Sequence, residues 1–309
     1  MSVIINKIEK DLDSVGYYPT KEISYAVMAA ITCDKPLLIE GAPGAGKTSL
    51  AKAIAAMLNL PLIRVQFYEG ISNDDILYDY DYQKQLLTLE AIKPTITKEL
   101  EGKSIQDAVN YVANSVSFYG KDFLIERPVM QAINGSGRKV LLLDEIDKAS
   151  EETEYMLLEV LSEFSISVPQ YGTVTCPTDQ RPIVILTSNG YRELSEALKR
   201  RCAYLYINNK SKDEMLAILK NKARFDEKLA ESIANCMVKI QNMRLRQTPS
   251  IAEAVDWGNY LQSMFGEHLE NLEDPEEIKY TLGAIAKNKE DERILKNGNL
   301  DIFFDEAKG

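Results

Sequence analysis

Histidine is almost missing from this chain: 309 residues contain one, His268, alongside a single tryptophan, Trp257. A lone histidine in an acidic, polar stretch reads as a surface residue, and it excludes Ser-His-Asp and Cys-His catalysis. Cysteine is scarce too. Cys33, Cys176, Cys202 and Cys236 are far apart, and only His268 could join them. Neither a disulfide framework nor a zinc site fits that spacing, and the four read as single buried thiols in a reducing compartment. Long apolar runs are absent; the longest, Val140–Leu143 and Ile183–Leu186, are strand-sized, well short of the ~18 to 20 residues that a bilayer requires. Met1–Gly16 mixes Lys, Glu and Asp into its apolar residues, unlike a signal peptide, so a cytoplasmic location is expected. Positive charge is in deficit, with 36 Lys and Arg against 47 Asp and Glu and a net charge of −11. That balance repels phosphodiester backbones and argues against nucleic acid as the main ligand. Any chemistry must therefore run on carboxylates, Lys, Arg and a metal.

The remainder is ordinary for a globular chain, with 45% hydrophobic and 27% charged residues. Its length suits two domains at roughly 150 residues each. Helical periodicity opens the chain at 3–14 and 20–32. A short strand, Leu37–Ile39, leads into a glycine-rich run and then a helix with Leu50, Ala51, Ile54 and Leu58 on one side. Further strands are expected at Ile63–Phe67, Val140–Leu143, Ile183–Leu186 and Ala203–Ile207. Strands alternating with helices predict a mostly parallel α/β sheet covered on both faces. The long stretch between the second and third strands needs elements of its own. Tyr78–Tyr82 reads as exposed or hairpin structure, and Ile105, Val109, Val112 and Ala113 as a helix. Ser150 is an expected N-cap, with Leu157, Val160, Leu161 and Phe164 at helical spacing behind it. Ser165–Val168 and Thr173–Cys176 alternate at period two around Pro169–Gly172, a hairpin pattern. After residue 208 everything reads as helical. Ser211–Glu214 and Ser250–Glu253 fit capping boxes, and Asp274-Pro275 places a cap and an N1 proline. The expected division is 1–208 for the α/β core and 209–309 for an all-helical domain.

Gly41-Ala42-Pro43-Gly44-Ala45-Gly46-Lys47-Thr48 matches the P-loop pattern G-x-x-x-x-G-K-[ST] between a strand and a helix. Glycines let backbone N–H groups turn inward around a phosphate at the positive end of the helix that follows, where Ser49 continues the first turn. Lys47 would reach the β and γ oxygens, and the Thr48 hydroxyl would ligate Mg²⁺. Val140–Leu143 ends in Asp144-Glu145. Asp144 would hold Mg²⁺, and Glu145 would orient the attacking water or accept its proton; the plainer reading is a solvated acidic loop, in which Asp147 and Lys148 are solvated or paired. Asn189 ends the fourth strand, where strand C-termini face a ligand crevice. It suits holding water or a γ-phosphate oxygen, and equally suits starting a turn before Gly190. Arg200 and Arg201 precede the fifth strand, and a permanently charged guanidinium suits a phosphoryl-transfer transition state. Supplied to a neighbouring subunit, with Arg201 placed ahead of Arg200, it would make hydrolysis depend on assembly.

Together these residues resemble the AAA+ ATPases, with the P-loop as Walker A, Asp144-Glu145 as Walker B, Asn189 as sensor 1 and Arg200/Arg201 as the finger region. Val65–Gly70, Leu124–Pro128, Asp144–Ala149, Leu157–Leu161, Leu186–Asn189, Ala197–Cys202, Ala252–Trp257 and Thr281–Lys287 are similar to the MoxR-type group, and within it to the CoxD-like branch linked to carbon monoxide dehydrogenase and molybdenum hydroxylase maturation. The resemblance implies a P-loop NTPase core with a helix-2 insert at 70–126, a pre-sensor-1 hairpin at 165–176 and an all-α lid. It also implies ATP and Mg²⁺ as cofactors, a ring that is hexameric, a von Willebrand factor A-domain partner and a metalloenzyme client. Relatives carry a sensor-2 arginine near the start of a lid helix. Thr248–Glu253 has none, although Arg244 and Arg246 lie one turn upstream. Tyr18 and Pro19 are candidates for the base pocket. A nucleic-acid motor on the same fold and a nucleotide-gated scaffold with little turnover remain as alternatives; the −11 charge disfavours the first and the intact acidic pair the second.

Overall fold

Apolar runs without alternation become the inner strands of a parallel sheet, because such strands are covered on both faces. The computed structural model describes residues 2–100, 104, 106, 107, 117–221, 223–266 and 276–298. His268, the positions Ile105, Val109, Val112 and Ala113, and the cap at Asp274-Pro275 lie outside the described residues. The strands are β1 (Leu37–Gly41), β2 (Leu62–Gln66), β3 (Tyr78–Tyr80), β4 (Leu124–Glu126), β5 (Val140–Asp144), β6 (Ser165–Val168), β7 (Gly172–Thr175), β8 (Ile183–Ser188) and β9 (Ala203–Ile207). Five of them form one parallel sheet in the order β2-β5-β8-β1-β9. Leu62 pairs with Val140 and Gln66 with Asp144, while Val140 pairs with Ile183 and Leu143 with Leu186. β5 and β8 are buried along their whole lengths, and the edge strand β2 is half-buried.

The helices are α1 (Ser2–Ser14), α2 (Lys21–Thr32), α3 (Lys47–Met57), α4 (Asn73–Ile76), α5 (Tyr82–Leu100), α6 (Pro128–Asn134), α7 (Glu151–Glu163), α8 (Glu196–Arg201), α9 (Lys212–Asn221), α10 (Glu227–Gln241), α11 (Ile251–Phe265), α12 (Glu276–Thr281) and α13 (Lys289–Asn297). By its internal contacts the chain divides into two compact units, one of Ala29–Leu38 and Leu58–Ala203, the other of Met1–Met28, Ile39–Met57 and Tyr204–Gly309.

In the first unit, Leu141, Leu143, Val184 and Leu186 of the sheet share a core with Leu157, Val160 and Leu161 of α7. Ser150 caps α7, its hydroxyl accepting the Thr153 N–H at 3.2 Å, and Glu151, Glu152 and Glu154 lie in the first turn, where the helix dipole favours acids. Phe164, in the left-handed conformation, ends the helix and opens the expected β6-β7 hairpin, which pairs Ser165 with Thr175 and Val168 with Gly172. Within the region read as the helix-2 insert, where exposed or hairpin structure was expected at Tyr78–Tyr82, Tyr78–Tyr80 is a half-buried strand. It pairs antiparallel with β4, and Tyr80 packs edge-on to Tyr119 with ring centroids 5.3 Å apart.

In the second unit, α9 to α11 and α13 close over a core of Leu219, Ile233, Met237, Trp257, Leu261, Leu282 and Leu295. Both capping boxes form. Ser211 N–H donates to Glu214 at 2.9 Å, and Ser250 N–H donates to Glu253 at 2.7 Å. Three cysteines are buried as expected, whereas Cys33 is exposed at the end of α2. Burial pushes the Cys202 and Cys236 thiols up to about 12, so neither offers a thiolate near neutral pH.

Candidate nucleotide site

β1 ends at Gly41 and α3 begins at Lys47, leaving Ala42–Gly46 as a tight loop whose Ala45 N–H donates to the Ala42 carbonyl at 3.1 Å. Gly44 adopts a φ of +76°, which side-chain-bearing residues resist. The loop is also hemmed in. A Cβ on Gly41 would lie 2.4 Å from the Ile207 carbonyl oxygen, and one on Gly44 would lie 2.3 Å from Ser250 Oγ. The buried Lys47 ammonium donates to the carbonyls of Gly41 at 2.7 Å and Ala42 at 2.8 Å. Pro43 and Ser49 are exposed, and Thr48 is half-buried in the first turn of α3. The first N–H groups of a helix have no intrahelical acceptor, so a phosphate-sized anion suits this loop.

Two residues beside the loop gave no signal in the sequence. Ser250, recognised only as a helix cap, brings the N-terminus of the 15-residue α11 against Gly44. Upstream of it, Arg246 pairs with Glu290 at 2.5 Å, and its N–H donates to Asp291 at 2.8 Å. Burial raises the Asp291 carboxyl, but its hydrogen bonds from Arg246, Asn288 and Gln247 outweigh that and hold it below the usual range. Tyr17 is the second. It is 8% exposed, whereas Tyr18 and Pro19 are half-buried. A Cβ on Gly46 would lie 3.9 Å from its ring and hydroxyl, and the Lys210 ammonium sits 5.7 Å from the ring centroid. Among the described residues the buried Tyr17 hydroxyl has no hydrogen-bond partner, and burial, with Glu214 adding, drives its pKa upward.

The acidic half of the motif set lies in the other unit, at the C-terminal ends of β5 and β8. Asp144 is 2% exposed. Its Oδ2 accepts from Arg64 Nε at 2.9 Å and Nη2 at 2.6 Å, and its Oδ1 accepts from the Thr187 hydroxyl at 2.5 Å. The Thr187 oxygen in turn accepts the Glu145 N–H at 2.9 Å. Glu145 is held in the left-handed region, with φ 58° and ψ 48°, uncommon for a residue with a side chain. Asp147, expected to be solvated or paired, is 3% exposed. Its Oδ2 accepts the backbone N–H groups of Asn189 at 3.0 Å and Tyr191 at 2.9 Å, so it fixes the loop that carries Asn189. Arg192 pairs with the fully buried Glu154, whose other oxygen accepts the Ser195 N–H at 2.9 Å, and this carries the loop on to α8. At the end of α8, Arg201 donates to Ser162 Oγ at 2.5 Å and to the Ala197 carbonyl at 3.0 Å. Arg200 is exposed and makes no hydrogen bond or ion pair among the described residues.

The residues fit the groups that the motifs imply. A buried carboxylate and a threonine hydroxyl are hard oxygen donors of the kind Mg²⁺ takes, and a glycine-rich loop with a buried lysine suits a polyphosphate.

The family model for the AAA domain (dynein-related subfamily) matches residues 36–202, more than half of the chain. No curated protein matches. Among solved structures, the chain is similar to a point mutant of RuvB from Thermotoga maritima, with a TM-score of 0.46, 17% identity, and coverage of 89% of this chain and 67% of that one. The residues matched by the family model span the phosphate loop, the acidic strand end, Asn189 and both arginines. The chain belongs to the AAA family, within its dynein-related subfamily.

Proposed function

We propose that this protein is an oligomeric ATPase that uses Mg²⁺-dependent hydrolysis of ATP to remodel a protein client. Nucleotide-dependent activity and a tendency to assemble in rings are general to AAA proteins. The observation that supports hydrolysis in this chain is the pairing of a buried Asp144 with an adjacent, half-buried Glu145 at one strand end, since binding alone needs no such glutamate. In this reading the loop 41–46 would wrap the phosphates, Lys47 would exchange its carbonyl partners for phosphate oxygens, and Thr48 and Asp144 would be the oxygen donors to the metal. Bound Mg²⁺ neutralises charge on the phosphates. Glu145 takes the proton of the attacking water, and Asn189, fixed through its backbone by Asp147, orients that water. Tyr17, beside Gly46 and with its hydroxyl unsatisfied among the described residues, would join Tyr18 and Pro19 as a candidate to border the nucleobase. Residues 1–208 act as the core and 209–309 as the lid.

The finer assignment rests on resemblance: a hexamer of the MoxR type and CoxD-like branch, cytoplasmic, working with a von Willebrand factor A-domain partner on a metalloenzyme client such as a molybdenum hydroxylase. The net charge of −11 supports a protein client over nucleic acid.

We infer that Arg200, rather than Arg201, is the arginine that acts in trans. Both guanidinium groups are exposed, but Arg201 donates to Ser162 and Ala197 of its own chain, whereas Arg200 makes no hydrogen bond or ion pair among the described residues. Arg200→Ala is expected to lower kcat about 100-fold, the scale of losing one transition-state donor, while Arg201→Ala stays within about threefold. Specific activity should also rise with protein concentration in the parent chain and stay flat in Arg200→Ala. Phosphate-release assays across a concentration series check this, and a parent rate independent of concentration would contradict action in trans.

A further inference from the structure

The short 3-10 turn Ile146–Lys148 presents its two charged residues to different partners. Asp147 receives the N–H groups of the Asn189 loop, as described above. Lys148 places its ammonium 2.5 Å from Glu145 Oε2 and 5.9 Å from the centroid of the Tyr191 ring. The backbone builds this pair. Lys148 N–H donates to the Glu145 carbonyl at 3.0 Å, and residues three apart eclipse in 3-10 geometry. The left-handed conformation of Glu145, fixed through its N–H by Thr187, sets the direction from which its side chain leaves. The hydrogen bond to Glu145 raises the Lys148 pKa against the opposing effect of burial, so the ammonium stays charged. Tyr68, Glu69, Asp147, Lys148, Glu151 and Tyr191 line one cleft of about 750 Å³, so two further carboxylates, Glu69 and Glu151, border the space that Lys148 occupies.

We propose that Lys148 is a positioning residue that holds Glu145 in a resting orientation, so that hydrolysis proceeds only when this ion pair opens. The proposal rests on the ATPase reading above. A carboxylate oxygen that accepts a hydrogen bond from an ammonium has that lone pair committed and cannot take a proton from water along the same direction. Glu145 must therefore leave Lys148 to act, and the carboxylates of Glu69 and Glu151 give the released ammonium acceptors in the same cleft. Tyr191, anchored by Asp147, ties the latch to the loop that carries Asn189.

The test is steady-state ATP turnover by the full chain and its variants. Lys148→Met, similar in length and uncharged, should raise kcat about threefold with KM unchanged, the scale of opening a partly exposed ion pair. Lys148→Arg, which keeps the pair, should return kcat to the parent value. In a Glu145→Gln background, Lys148→Met should have no effect, because the latch acts only through that carboxylate. A kcat that falls or stays the same in Lys148→Met, or rises by the same factor without Glu145, overturns the proposal while leaving the ATPase reading standing. A parent chain with no turnover at all overturns both.

Discussion

Glu145→Gln is expected to lower ATP turnover about 1,000-fold or more while nucleotide affinity stays within about threefold of the parent value. General-base catalysis contributes roughly 10²- to 10⁴-fold, and an amide oxygen cannot accept the proton that a carboxylate takes. The substitution is close to isosteric. It leaves the backbone hydrogen bond to Thr187 in place, and a glutamine meets the left-handed conformation at residue 145 with no more difficulty than a glutamate. Affinity is retained because the phosphate contacts belong to the loop 41–48, whose glycine conformations and buried Lys47 do not depend on the Glu145 side chain. Phosphate release together with equilibrium binding of a fluorescent ATP analogue separates the two quantities. Unchanged turnover would remove Glu145 from the chemistry, and loss of both would point to a collapsed site.

Trp257→Ala should produce the largest loss of stability, about 3 to 5 kcal/mol in the unit that contains α11. Trp257 is fully buried among the helices of that unit, and its indole N–H donates to the Thr281 hydroxyl at 2.8 Å. The same hydroxyl donates to the Ile278 carbonyl at 2.7 Å, so the substitution opens a large void and also strips one partner from a buried polar group. Trp257→Phe, which keeps most of the volume and loses the hydrogen bond, should cost less than half as much. Urea unfolding followed by circular dichroism suits both variants, since Trp257 is the only tryptophan and its fluorescence disappears with it. The effect should reach the phosphate loop, because α11 places Ser250 against Gly44. Stability within about 1 kcal/mol of the parent would contradict this packing.

Much of the architecture was legible in local pattern. The runs Val140–Leu143 and Ile183–Leu186 have the strength and length of covered parallel strands, and the spacing from Ser150 to Phe164 matches the observed helix almost residue for residue. Capping boxes at Ser211 and Ser250 are short-range chemistry, so they read directly from the sequence. The P-loop was equally visible, because its glycines and lysine work within eight residues. What escaped is long-range. Arg64 reaches Asp144 across 80 residues and Asp147 reaches the Asn189 backbone across 42, and no periodicity announces either contact. Tyr78–Tyr80 is too short for alternation to mark it as a strand, and its partner is 46 residues away. Tyr17 differs from Tyr18 only in burial, which depends on the loop folded beside it. The contact of Arg201 with Ser162 is equally long-range, since Ser162 lies on a different helix, α7.

The central claim is ATP hydrolysis at the phosphate loop, and phosphate release from Mg²⁺-ATP by the full chain, set against Lys47→Ala, tests it most directly. Lys47 is buried over the loop and carries no backbone role that alanine cannot fill in a helix. The expected result is steady turnover by the parent chain that rises with protein concentration and falls to background in Lys47→Ala. Phosphate release equal in the two proteins, or absent from the parent at every concentration, would contradict it.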